Sequence, residues 1–223
     1  MKKIASTWWI PTFDDSFEKE LDSAGQYQKN NRDYTLTYVK DFNSIAIDVG
    51  ANIGFWSLPL SKRFTQVHAF EPFDLNAECF KQNLESRDNV VLHEVALSNI
   101  AYSTDLYISA KSCGHPSLDP DNVTKGGSVP IQVKTLDSYQ FKNVGYIKVD
   151  VQGTEKNVVL GAIDTLVNND VTIVLELPVN PSRKHYQKEL TYHREISAIL
   201  KDIGYNLHGQ FKKEAVFCRG VKE

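Results

Sequence analysis

The chain has 223 residues, 41% of them hydrophobic, and a formal net charge of -3. That length suits one α/β domain with a full core, and the mild acidity gives no general pull towards nucleic acid or an anionic membrane, leaving only a local basic patch open. The three cysteines, Cys79, Cys113 and Cys218, show neither CxxC nor metal-ligand spacing, which fits free thiols in a reducing compartment better than a disulfide framework or a metal site.

The start, MKKIASTWWIPTF, meets Pro11, Asp14 and Asp15 before an apolar secretory core can form. No apolar run approaches the length of a bilayer span, so a soluble, cytoplasmic protein is expected. Asp15 to Glu18 reads as a helix start, with Asp15 as cap, Glu18 reaching back and Gly25 ending the helix. Tyr34 to Lys40, YTLTYVK, alternates and is rich in β-branched residues, which predicts a strand. Residues 1–44 thus read as a helix-and-strand extension packed on a core of residues 45–223.

From Ile45 strands and helices alternate. IAIDV is a strand, and a helix from Gly54 to Arg63 follows that Pro59 should bend or shorten. Gln66 to Pro72 is the second strand, Leu75, Cys79, Phe80 and Leu84 fall at helical spacing, and Val90 to Leu97 is the third strand. DLYIS and VPIQVKTL form a β insertion, joined by a long polar loop, Ala110 to Ser128, of the kind that serves as a lid or stays disordered. Tyr146 to Val151 and Val171 to Leu177 are further buried strands, separated by a helix marked by Val158, Val159, Ala162, Ile163, Leu166 and Val167. A last helix runs from about Gln187 to Ile203 and stops at Gly204, before two short strands joined by a polar turn. The alternation argues for a doubly wound, mostly parallel sheet with an antiparallel hairpin at its end.

The chemistry collects at the strand ends. In GANIG, Gly50 and Gly54 allow a tight turn and a close approach of backbone to a ligand, and Asn52 tolerates a left-handed backbone. The spacing is not the GxGxxG of dinucleotide folds, and any tight strand-to-helix turn wants similar glycines. Glu71, closing the second strand in AFEP, is placed either to accept hydrogen bonds from ribose hydroxyls or to cap a helix beginning near Phe73. By pleat parity Ala46, Asp48 and Gly50 share a face, as do Lys148, Asp150 and Gln152, and Thr172, Val174 and Glu176. If these strands are neighbours, Asp48, Asp150 and Glu176 converge at the carboxyl edge, where doubly wound sheets bind ligands. Lys148 can neutralise one of them as a structural ion pair, and the surplus of carboxylates favours a site.

Taken together, DVGANIGFWSL, AFEP, VALSN and IKVDVQGTEKNVVLGA resemble the FkbM-type S-adenosylmethionine-dependent methyltransferases, over roughly Ile45 to Leu177. The resemblance implies a Rossmann-like class I methyltransferase fold for residues 45–223, with a mostly parallel seven-stranded sheet. It implies S-adenosyl-L-methionine as cofactor, with Asp48, Gly50, Ala51, Asn52 and Gly54 along the methionine part, Glu71 on the ribose, and Ala96 and Leu97 beside the adenine. Asp150 would sit beside the sulfonium and the acceptor, and Glu155 matches the family's GxE position. Family members methylate hydroxyls of small molecules or sugars, so the same acceptor class is implied here. Gln152 departs from the family's usual glutamate in DVEG, keeping the shape and hydrogen bonding but not the charge.

The implied reaction is in-line displacement at the methyl carbon, in which alignment does much of the work and a base takes the acceptor's proton. Asp150 is the first choice for that base and Glu155 the second, with Glu176 and His115 behind them. The basic run Arg183, Lys184, His185 and Lys188 reads as a solvated helix face or as a contact for an acidic acceptor. A nucleic-acid methyltransferase would need a contiguous basic groove, which the overall acidity argues against. A non-catalytic cofactor-binding domain is the other competing reading, to which Gln152 lends weight.

Overall fold

The computed structural model describes residues 1–5, 7–14, 16–109, 116–118, 120, 123, 126–177 and 186–220. The expected cap Asp15, the loop residues Cys113 and His115, and the basic residues Arg183, Lys184 and His185 lie outside the described residues, as does the side chain of Lys188. In chain order come β1 (Lys2–Ile4), β2 (Trp8–Ile10), α1 (Ser16–Glu20) and α2 (Lys29–Leu36). The central run is β3 (Ile45–Val49), α3 (Ser57–Leu60), β4 (Gln66–Phe70), α4 (Asp74–Asn83), β5 (Val90–His93) and β6 (Ala96–Leu97). After it come β7 (Tyr102–Ser109), β8 (Gly126–Lys134), β9 (Val144–Val149), α5 (Glu155–Leu160) and α6 (Ile163–Asn168). The chain then adds β10 (Thr172–Glu176), α7 (Tyr186–Asp202), β11 (Tyr205–Phe211) and β12 (Glu214–Arg219).

Seven strands form the main sheet in the order β11-β12-β10-β9-β3-β4-β5. The five strands from β10 to β5 run parallel, while β12 lies antiparallel to both β10 and β11. This is the doubly wound, mostly parallel sheet with a terminal hairpin that the alternation implied. Strands covered on both faces are near-continuous apolar runs, and all five residues of β10 are buried, with polar side chains only at its ends, Thr172 and Glu176. Gly204, at φ +89, ends α7 by donating its N–H to the Lys201 carbonyl at 2.9 Å.

Several elements differ from the sequence reading, each for a local reason. YTLTYVK is not a strand, because its first residues complete α2. That helix buries Asn31, Arg32, Thr35 and Leu36, a helical stripe that is mostly polar and so leaves no hydrophobic periodicity. Its polar groups find partners in the core: Asn31 Nδ2 donates to Glu214 Oε2 at 2.7 Å, and the Thr35 and Tyr146 hydroxyls lie 2.8 Å apart. The first helix stops at Glu20, well before Gly25, because Asp22 Oδ1 accepts the N–H groups of Ala24 and Gln26, both at 2.8 Å, and folds the chain into a turn. The helix expected from Gly54 is confined to Ser57–Leu60, with Pro59 inside it offering no N–H to the preceding turn.

The strand expected over Val90 to Leu97 is two strands. β5 stays in the main sheet, whereas β6 leaves it to pair with β8, forming a three-stranded sheet with β7. The helix expected across Val158 to Val167 is also divided, at Gly161, where a Cβ would lie 2.0 Å from the Ser98 carbonyl oxygen. The opening segment packs its aromatic residues on the turn after β3: Trp8 meets Phe55 edge-on at 4.5 Å and Tyr27 stacks on it at 4.6 Å. Among the described residues no helix is long and apolar enough to cross a membrane.

Candidate active site

β10, β9 and β3 end side by side, with Lys148 in register with both Asp48 and Val174. The convergence of Asp48, Asp150 and Glu176 read from pleat parity is therefore present. An acidic group at the end of a doubly covered strand is costly unless partnered, and Lys148 is the shared partner. Its ammonium lies 3.3 Å from Asp150 Oδ2 and 4.9 Å from the centre of the Trp56 ring. Burial opposes charge on Lys148, but the carboxylates of Asp150, Glu176, Asp48 and Glu214 outweigh it and push its pKa up.

The carboxyls divide the charge unequally. Burial alone would raise Asp150, yet Lys148 and hydrogen bonds from Glu176, Lys148 and Gln152 hold it well below the usual carboxylate range. Burial and the neighbouring Asp150 charge push Glu176 above that range, against the opposing charges of Lys148 and Lys213. Lys213 Nζ lies 2.9 Å from Glu176 Oε1. Asp48, 2% exposed, accepts a hydrogen bond from Ser57 Oγ at 2.6 Å, and burial still pushes it up to about 6.

The glycine turn locks the two strand ends together. Gly50 has φ +79, and a Cβ there would stand 1.9 Å from the Asp150 carbonyl oxygen, so only glycine lets the loops approach. Gly54, at φ +98, closes the turn by donating its N–H to the Ala51 carbonyl at 2.9 Å, and a Cβ there would meet Leu84 Cδ1 at 2.2 Å; it lines neither of the clefts at the sheet edge. Asn52, left-handed at φ 52, donates its backbone N–H to Glu71 Oε2 at 2.8 Å. Glu71 Oε1 accepts the Phe73 N–H at 2.9 Å, so this carboxylate holds the turn and caps α4 together. Burial pushes Glu71 up to about 7 against those hydrogen bonds and one from Asn76.

Two clefts open on this edge. The first is walled by Val49, Phe70, Glu71, Ala96, Leu97, Val151 and, from the β insertion, Leu106 and Leu118. The second holds Asp48, Ala51, Lys148, Glu176 and Lys213 against Phe17, Tyr27, Gln28, Phe55 and Trp56. Gly50, Asn52, Asp150 and Gln152 line both. Gln152 is itself left-handed at φ 57; its Nε2 donates to Asp150 Oδ1 at 2.7 Å, while its carbonyl accepts the Ser117 hydroxyl at 3.1 Å.

Glu155 lies apart from both clefts. It is 3% exposed, its Oε1 accepts the N–H of Gly153 at 3.0 Å, and its Oε2 accepts the Tyr192 hydroxyl at 3.3 Å. Tyr27, Gln28 and Lys213 were not legible as site residues: none stands in a motif, and only the packing of segments far apart in the chain brings them to the cleft.

A family model described as "Methyltransferase FkbM domain" matches residues 48–207, more than half of the chain. The chain belongs to the FkbM methyltransferase family. The matched region runs from Asp48 past Glu71, Asp150 and Glu176, and leaves Phe17, Tyr27, Gln28 and Lys213 outside. A curated relative, "Methyltransferase 1" of Beauveria bassiana (strain ARSEF 2860), is 26% identical over 164 residues, covering 60% of this chain and 65% of that protein. The aligned part is thus less than two thirds of the relative's length.

Among solved structures, this FkbM chain is similar to methyltransferase FkbM from Methylobacillus flagellatus KT, with a TM-score of 0.53 at 17% identity over 79% of this chain and 43% of that one. It is also similar to precorrin-6y C5,15-methyltransferase from Geobacter metallireducens GS-15, with a TM-score of 0.52 at 14% identity over 96% of this chain and 92% of that one. At such identities the likeness is one of fold: the class I methyltransferase sheet.

Proposed function

We propose that this FkbM-family chain is an S-adenosyl-L-methionine-dependent methyltransferase acting on a hydroxyl of a small molecule or sugar. The observation that carries the reading is the pair of unlike clefts meeting at Gly50, Asn52, Asp150 and Gln152. One cleft suits a nucleoside, the other a polar acceptor, and the shared residues mark where the two would meet.

The residues fit the cofactor. Ala96, Leu97, Leu106 and Val151 offer apolar surface for a flat base. A carboxylate has about four acceptor positions, and Asn52, Phe73 and Asn76 occupy three on Glu71, leaving one for a ribose hydroxyl. Asp150, which lines both clefts and is held ionised, supplies negative charge beside the cationic sulfur, which S-adenosylhomocysteine lacks. Bound there, the cofactor supplies a methyl group activated by a positively charged sulfur.

Asp150 accepts a hydrogen bond from the acceptor hydroxyl and so turns an oxygen lone pair towards the other cleft. As that oxygen gains carbon its proton becomes strongly acidic, so a carboxylate of low proton affinity is sufficient to accept it. Lys148 and Gln152 fix Asp150 from two sides, which keeps the alignment without reorganisation during the step. Glu155 is a positioning residue that holds the turn after β9 through the Gly153 N–H.

Saturating S-adenosylmethionine or S-adenosylhomocysteine should raise the melting temperature, whereas NAD should leave it unchanged. No shift with either methionine compound would sink the cofactor assignment.

A further inference from the structure

The walls of the second cleft come from three parts of the chain, Lys213 being the one that follows the family-matched region. Asp48, Lys148, Asp150 and Glu176 lie inside the family-matched region, whereas Phe17, Tyr27 and Gln28 precede it. Three observations meet at Gln28. Its backbone is left-handed, at φ 44 and ψ 35, a conformation that strains a side-chain-bearing residue and suits glycine. It occupies the N-cap of α2, where a short polar side chain would bind first-turn N–H groups, yet its own side chain makes no capping bond. That side chain is committed to the cleft instead: Oε1 accepts the Trp56 indole N–H at 3.0 Å, and Nε2 donates to the Tyr27 hydroxyl at 3.0 Å.

These bonds orient the amide without exhausting it. They use one of the oxygen's two lone pairs and one of the two N–H groups, so one acceptor and one donor remain on a cleft-lining group. Trp56, which holds the amide oxygen, also lies against the Lys148 ammonium that pairs with Asp150. The wall itself is anchored elsewhere, by Arg32 Nη1 on the Tyr27 carbonyl at 3.1 Å and by Tyr27 stacked on Phe55. A strained residue is therefore kept at a place where it neither caps the helix nor carries the anchorage.

We infer that Gln28 is the specificity-determining residue of the acceptor cleft, its amide reading a second hydroxyl on the acceptor through one donated and one accepted hydrogen bond. A hydroxyl both donates and accepts, which matches what the oriented amide has left to offer. The inference rests on the methyl-transfer reading above and goes beyond it by naming a residue ahead of the family-matched region.

Gln28→Gly in the full chain tests it, since glycine suits the backbone there and the variant should fold. Three readouts are taken: melting temperature, S-adenosylhomocysteine affinity by calorimetry, and labelled methyl transfer onto a fixed panel. The panel holds monosaccharides, catechols, their singly hydroxylated analogues, hydroxy acids and total RNA. The expected result is a chain that still unfolds cooperatively, with the strain relieved at position 28 offsetting part of the lost Trp56 bond, and an S-adenosylhomocysteine Kd within twofold. KM for the best acceptor should rise tenfold or more, and the preference for its second hydroxyl should be lost. Unchanged KM and an unchanged order across the panel would overturn the inference. So would a loss of transfer matched by lower melting temperature and weaker S-adenosylhomocysteine binding, which would make Gln28 a brace. A wild-type chain that binds S-adenosylhomocysteine yet labels nothing in the panel would overturn the transfer reading itself, and this inference with it.

Discussion

The two clefts share four residues and little else. In the first, one buried carboxylate stands among apolar side chains and is held by backbone N–H groups, with burial raising its proton affinity. In the second, carboxylates and lysines neutralise one another before any ligand arrives. The contrast separates two ways of binding with charge. Glu71 is a group whose ionised form an incoming hydroxyl can stabilise, so its affinity is coupled to a proton. Asp150 is ionised already and held in place, so it can orient a partner without first being charged or moved.

Substitutions can break this contrast from either side. The largest effect is expected for Lys148→Met, which leaves Asp48, Asp150 and Glu176 around a missing cation and should cost about 3–5 kcal/mol of stability in urea unfolding. A loss below about 1 kcal/mol would mean that the second cleft is not organised around its lysine. Asp150→Asn keeps the shape and should lower single-turnover transfer by about 10²–10⁴-fold. S-adenosylhomocysteine binding should survive in that variant, and full turnover would remove Asp150 from the reaction.

Glu71→Gln belongs to the first cleft and should weaken S-adenosylhomocysteine by about 10–100-fold, the worth of a hydrogen bond to a charged group. The smallest and most diagnostic effect is on pH. Since Glu71 is pushed up to about 7, a ligand favouring its ionised form should bind more weakly as pH falls through that value. The loss should be at most about tenfold per pH unit for one proton, and calorimetry on Glu71→Gln should show a flatter profile. The sign reverses for the unliganded fold. A carboxyl raised from 4.5 to about 7 binds its proton better folded than unfolded, so its contribution falls as pH rises across that interval. Stabilisation by S-adenosylhomocysteine should accordingly be largest at the alkaline end.

The parallel strands were legible because a strand buried on both faces has to be an apolar run, and an acid at its end is then conspicuous. Glu71 was legible as a choice between ribose partner and helix cap, and the structure shows its carboxylate accepting the Asn52 and Phe73 N–H groups at the start of α4. α2 was misread because its buried face is Asn31, Arg32 and Thr35, whose burial depends on partners far along the chain. Gly54 carried a signal for a turn but not for what the turn meets, which is Leu84. Gln28 carried none, since its significance lies in a backbone angle and two hydrogen bonds that no residue pattern encodes.

α2 and the terminal hairpin are seated on one another. Asn31 Nδ2 donates to Glu214 Oε2, 183 positions along the chain, and at Gly209 a Cβ would lie 2.3 Å from the hydroxyls of both Tyr34 and Tyr38. The helix therefore buries polar groups whose partners lie on the antiparallel edge of the sheet, and unpaired they are costly. Loosening that hairpin unseats α2 as well, so two segments far apart in the chain open or close as one unit.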